Sequence, residues 1–220
     1  MQESGTAGFS MRALAELAGV SIATPYNLFG SKQAIMIALL ETELQQYRER
    51  IERIRTDELD ALFKAVTIAT SQYSASPGFH RALLFSVYND GGTEFRSMFS
   101  GTSHELWRGL VERAIAAGHL SSDVEPNAFA ITLGHLFFAC LLEWVYGQLS
   151  MEELEIRVEY GFTLSLGGMA TTASAPILRD RATRAQKRLW RFWTRKYVES
   201  CESVDEVAVR RTANGGTAAS

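Results

Sequence analysis

Met36, Leu40, Leu44, Tyr47, Ile51 and Ile54 recur at steps of four, four, three, four and three. Only a helix gathers such positions onto one face, so this stripe of about 20 residues commits its segment to a long amphipathic helix. Similar periods fill 57–74, 79–88, 93–117, 127–149, 150–169 and 177–198, and only four prolines occur in 220 residues. That combination excludes an all-β fold and predicts an all-α one. Ser31 is placed to cap the long helix, Pro126 to open the 127–149 segment, and Ser150 with Glu153 has capping-box spacing. At 46% apolar the chain carries enough hydrophobic surface for a real core.

Charge is distributed unevenly. The net charge is −3, but acidic residues outnumber basic ones by 14 to 6 over 56–170, while basic ones lead by 8 to 2 over 171–200. Residues 1–55 balance at six each, so DNA contact there would rest on a few placed side chains rather than on bulk attraction. Cys140 and Cys201 make no disulfide framework or metal cluster. The longest apolar stretch, Ala128–Leu142, is broken by His135 and followed by Glu143. It is shorter than the roughly 20 residues of a membrane span. With no basic, apolar leader, the chain reads as soluble and cytoplasmic, with no transmembrane segment.

The 127–149 helix is apolar nearly all round, and a helix with two apolar faces needs two covers. One stripe holds Phe129, Leu133, Leu136, Cys140 and Trp144; the next helix sets Gly161, Ser165 and Gly168 at small-residue spacing. These eight residues are the candidate homodimer interface, an isologous two-fold contact, with crossing of the protomer's own core as the other reading. Enzyme signatures are missing: the sequence contains no Glu-x-x-His pair, no His-Glu-x-x-His and no phosphate-binding glycine loop. The chain reads as no enzyme, with no cofactor and no metal. Glu143 is the one carboxylate whose apolar surroundings suggest a raised pKa.

Residues 10–29 have the layout of a helix-turn-helix: Ser10 as a cap, Leu14, Ala15 and Ala18 facing inward, then Gly19 at the turn. The run Ala18-Gly19-Val20-Ser21-Ile22-Ala23-Thr24-Pro25-Tyr26-Asn27-Leu28-Phe29-Gly30-Ser31-Lys32 resembles the signature of TetR-type (tetracycline-repressor family) regulators. The later helices resemble that family's ligand-binding and dimerisation domain in number and order. The resemblance implies that Tyr26 touches the DNA backbone and that Lys32, opening the long helix, meets a phosphate. Ala23, Thr24 and Asn27 then face base edges, and Arg12 joins the DNA-binding set. Phe29 is expected to pack inside.

Three departures from the family pattern stand out. Its first helix normally precedes Glu3-Ser4-Gly5, so most of that helix is expected to be missing here, from an incomplete start or in a weakened domain. The apolar side of Met11–Ala18 would then be exposed. Pro25 replaces the usual leucine, which predicts a recognition helix starting near Pro25 with Thr24 as its cap. Leu28 stands where a DNA-contacting histidine is common.

Phe85, Tyr88, Phe99, His104, Trp107, His135 and Phe138 lie on the middle helices and either fill a core or line a pocket; the resemblance implies a pocket for a small-molecule effector there. The organisation follows: 1–45, a helix-turn-helix DNA-binding domain; 46–175, an effector-binding and dimerisation domain; 176–200, a basic amphipathic helix; 201–220, a disordered tail. The basic helix either packs Leu178, Ala182, Ala185, Leu189 and Trp193 on the acidic body, or adds attraction for phosphates or an anionic membrane. The function expected is a homodimeric, ligand-responsive transcriptional regulator, a repressor released from a palindromic double-stranded DNA operator by a small apolar or amphipathic effector. The alternative is a dimeric helical small-molecule-binding protein that no longer binds DNA.

Overall fold

A computed structural model describes the backbone of residues 11–90 and 92–214, with side chains for most of 11–89 and for 101–196. Among the described residues there are nine α-helices and no strand. They are α1 (Met11–Leu17), α2 (Ala23–Phe29), α3 (Lys32–Glu52), α4 (Glu58–Ala75), α5 (Pro77–Asp90), α6 (Gly92–Ala116), α7 (Pro126–Val145), α8 (Met151–Gly168) and α9 (Ala175–Asn214).

Local chemistry sets the helix starts. The hydroxyl of Ser31 accepts from the Ala34 N–H at 3.0 Å, and the Asp57 carboxylate from Leu59 at 2.9 Å. Glu125, ahead of Pro126 at the first helical position, accepts from the N–H groups of Asn127 and Ala128. Ser150 accepts from the Glu153 N–H at 3.1 Å. Each such cap stabilises its helix by about 1 kcal/mol. Gly19, at φ +66, turns the chain between α1 and α2 through the left-handed region that a side chain would disfavour.

Two clusters of buried residues hold the helices together. The larger joins Leu62 and Ala65 of α4, Trp107 and Leu110 of α6, Leu133 and Leu141 of α7, and Phe162 and Leu166 of α8. The smaller packs Met11 against Ile35, Met36 and Leu40 of α3 and Leu83 of α5. Part of the apolar side of α1 is covered, contrary to expectation: Met11 is 7% and Ala15 3% exposed, and Met11 shares a buried cluster with Ile35 and Met36 of α3. α3 passes through 45–46 without a break, so the head and the body share one rod.

Three further expectations change. α2 begins at Ala23, two residues before Pro25, with Ile22 rather than Thr24 at the cap position. Pro25 sits third in the helix, where its absent N–H has no intrahelical partner to lose. α7 stops at Val145 instead of near 149, the chain turning at Gly147 (φ +74). α9 runs on to Asn214, past the segment 176–200 and into the stretch read as a tail; 215–220 lie outside the described residues. At 20 residues and a mean hydropathy of 1.8, α7 is long and apolar enough to cross a membrane, exceeding the 128–142 stretch. Here it packs on α6 and α8 as a core helix.

α9 lies along the acidic body. Arg181 reaches Asp60 at 2.6 Å and stacks over Phe63, 3.9 Å from the ring centroid. Arg188 pairs with Glu159 at 2.7 Å, and Lys196 with buried Glu153 at 3.4 Å. Leu178 and Ala185 are buried beneath, but Trp193, expected on the same inner face, is 56% exposed. The helical period carries it round beyond the contact line with α8.

Candidate nucleic-acid interface and adjoining cavity

α2 presents a polar and aromatic face outward. Ala23, Tyr26 and Asn27, spaced i, i+3 and i+4, are all exposed, Tyr26 by 39%. Thr24 is half-buried and its hydroxyl is bonded to that of Ser21 at 2.9 Å, so it is less available than its neighbours. Arg12 is exposed on α1. Lys32 is the first residue of α3, where its charge adds to the positive end of the helix dipole. Phe29 corrects its expected inward packing: it is 47% exposed, and Leu28 beside it 74%. Pro25 is the residue of α2 that turns inward.

Below this head, α3 enters the body. Glu43 of α3 meets Gln72 of α4 and His80 of α5 in a small polar junction. His80 is 5% exposed; its Nδ1 lies 2.9 Å from the Ser76 carbonyl and its Nε2 faces Glu43 Oε2 at 3.2 Å. Gln72 Nε2 donates to the backbone carbonyl and the carboxylate of Glu43. The His80 hydrogen bond, helped by that from Gln72, holds the Glu43 carboxyl below its ordinary range against the opposing effect of burial. Burial pushes the Tyr47 and Tyr73 phenols up. Together with Leu40, Leu44, Leu83 and Leu84, these groups enclose a cavity of about 20 Å³.

None of the predicted effector residues lines this cavity. Trp107 is 3% exposed and fills the core, its ring against Phe137 at 6.0 Å and Phe162 at 5.3 Å. His135 is exposed, and His104 faces Asn127 at 3.4 Å. Phe85 meets Tyr146 at 5.7 Å and Tyr88 meets Phe138 at 4.7 Å. The side chain of Phe99 lies outside the described residues. Aromatic periodicity marks what is buried, not which ring borders a void. The Glu43–Gln72–His80 junction went unpredicted. Its sequence signal is slight, a glutamate inside the Leu40–Tyr47 stripe and a histidine just after Pro77-Gly78.

The predicted interface residues divide. Leu133 (0% exposed) and Trp144 (2%) are sealed in the protomer's own core and out of a partner's reach. Phe129, Leu136, Cys140, Gly161 and Ser165 are half-buried, and Gly168 is exposed. Gly161 has a reason inside the chain: an added Cβ would stand 2.5 Å from Leu136 Cδ1, so the glycine lets α7 and α8 approach. Outside that set, Ile131 (47% exposed) and Leu164 (53%) on α7 and α8, and Trp190 (71%) on α9, are exposed apolar side chains. Leu136, Cys140 and Tyr160 form, with Leu189, Trp190 and Trp193, an open apolar groove of about 510 Å³. Burial also raises the Cys140 thiol's pKa. Glu143, suspected of unusual titration, is an exposed partner of Arg157 at 3.2 Å.

Residues 1–39 match the model of the bacterial regulatory proteins of the tetR family. The chain is 24% identical over 137 residues to the HTH-type transcriptional repressor KstR2 of Rhodococcus jostii (strain RHA1). That alignment covers 56% of this chain and 63% of the relative, just under two thirds of its length. The fold matches that of SmeT, the repressor of the Stenotrophomonas maltophilia multidrug efflux pump SmeDEF, with a TM-score of 0.60 at 18% identity over 78% of this chain and 85% of that one. It also matches Thermus thermophilus FadR, a repressor solved with lauroyl-CoA, with a TM-score of 0.57 at 19% identity over 77% and 89%. Residues 1–39 therefore resemble the tetR-family DNA-binding segment, and the helical body behind them has the fold of these solved regulators.

Proposed function

We propose that the protein is a homodimeric, ligand-responsive repressor whose α2 helices enter successive major grooves of a palindromic operator. The observation that carries this reading is the outward face of α2, with Ala23, Tyr26 and Asn27 exposed and Lys32 at the head of the helix behind it. An asparagine amide pairs with adenine, and a lysine at a helix N-terminus suits a phosphate. The match of residues 1–39 to the tetR-family model supports the same roles. α3, about 31 Å long at 1.5 Å per residue over 21 residues, links that face to the cavity. A small tilt at its Glu43 end therefore changes the spacing of two reading heads away from the 34–36 Å of one duplex turn.

The second copy docks on the α7–α8 face. Ile131 and Leu164 are exposed there, next to the groove that α9 edges with Trp190 and Trp193. Patches of that kind on soluble chains mark contact sites.

Fluorescence anisotropy with DNA from just upstream of the protein's own gene tests the reading. Lys32→Ala should weaken binding and lower the salt slope by about 2, as expected for one lost phosphate contact from each protomer of the dimer. Tyr26→Ala should weaken binding as well. Binding by both variants equal to that of the unaltered chain would remove these contacts from the mechanism.

A further inference from the structure

The junction of Glu43, Gln72 and His80 has hydrogen-bonding capacity left over, and it is of one kind. Both hydrogens of Gln72 Nε2 go to Glu43, and both His80 nitrogens face acceptors, the Ser76 carbonyl and the Glu43 carboxylate. The Tyr47 hydroxyl donates to the Ala65 carbonyl at 2.9 Å. Every donor of these four residues is committed. Gln72 Oε1 is buried and accepts from no protein group, although Gln72 as a whole is only 7% exposed. A buried acceptor without a donor is costly, so the site favours whatever supplies one.

We propose that this junction reads the polar head of the effector, and that the head is a non-anionic hydrogen-bond donor carried on a small aliphatic body. The inference rests on the ligand-responsive reading above and names the class of ligand. Gln72 Oε1 takes the donor, the Glu43 carboxylate repels an anionic head, and Leu40, Leu44, Leu83 and Leu84 form the apolar wall. The enclosed volume of about 20 Å³ holds little more than one water. An aliphatic ligand therefore fits only when α3, which supplies Leu40, Glu43 and Leu44, parts from α5, which supplies His80, Leu83 and Leu84. The ligand binds the parted form alone, and that difference in affinity is what shifts the population.

Two isomers and one anion test this on the full chain. Octanol donates a hydrogen bond; 1-methoxyheptane has the same atoms and no donor; octanoate brings the negative charge. Octanol at ten times its Kd should raise the melting midpoint by about 3–6 °C, with 1-methoxyheptane and octanoate clearly below it. In Gln72→Leu the gap between the two isomers should close; if that variant does not fold, the comparison on the unaltered chain decides. Equal shifts for the isomers, a larger shift with octanoate, or no shift with any of the three overturns the inference. Anisotropy on the upstream DNA, run in parallel, separates the two readings. DNA binding without head discrimination sinks this inference alone, and head discrimination without DNA binding sinks only the regulator.

Discussion

Glu43→Gln isolates the charge in a polar joint between the DNA-reading rod and the body. The replacement keeps the size of the side chain and one acceptor oxygen while removing the negative charge. In the unaltered chain Glu43 Oε2 accepts from Gln72 and from His80, whose side chain is 6% exposed. A hydrogen bond to a charged group contributes about 1.5–3 kcal/mol and a neutral one about 0.5–1.5 kcal/mol, so each bond loses roughly 1 kcal/mol and the pair about 2 kcal/mol. For a chain of this length that lowers Tm by about 4–8 °C at pH 7. The pH dependence makes the test specific. The Glu43 carboxyl is held below its ordinary 4.5, so its contribution is present above that value and is lost as the pH falls through the lower folded one. Thermal melts of both chains at descending pH should show a full gap from pH 7 down to about 4.5, narrowing below it as the unaltered side chain takes up its proton. A gap that stays constant with pH, or none at pH 7, would refute the charge-assisted joint.

Three other outcomes follow from the packing. Gly161→Ala should cost about 1–3 kcal/mol in urea unfolding, because Leu136 must move as a whole, whereas Gly134→Ala, with Trp107 at an ordinary 3.6 Å, should gain about 0.5–1 kcal/mol. Arg181→Ala should cost about 1–2 kcal/mol and Asp60→Asn under 1 kcal/mol in the same assay, since the arginine also packs over Phe63 and the aspartate is half-exposed. Trp190→Ala together with Trp193→Ala should weaken the proposed homodimer at least about 30-fold in sedimentation analysis if the groove is an interface centre; an unchanged dimer constant would place the contact elsewhere.

The helices, their starts at Ser31, Pro126 and Ser150, and the turn at Gly19 were legible in the sequence because each depends on neighbours within one or two turns. The TetR-type signature was legible for the same reason: a short run of adjacent residues carries it. Pro25 shows where local reasoning stopped short. The rule that proline avoids helix interiors holds, yet more than one position near a helix start satisfies it, and the chain takes the third rather than the first.

Which apolar face meets which neighbour was decided by tertiary structure alone. Periodicity gave Leu133 and Leu136 the same stripe, but burial separates them, Leu133 in the core and Leu136 on the groove wall. It likewise put Trp193 beside Leu189 without saying that α9 would turn the tryptophan outward. Glu43, Gln72 and His80 sit on three different helices, and nothing local marks them as partners. Secondary structure follows short-range sterics and hydrogen bonds, which adjacent residues encode. The meeting of distant polar groups follows from how whole helices cross, which only the packed chain determines.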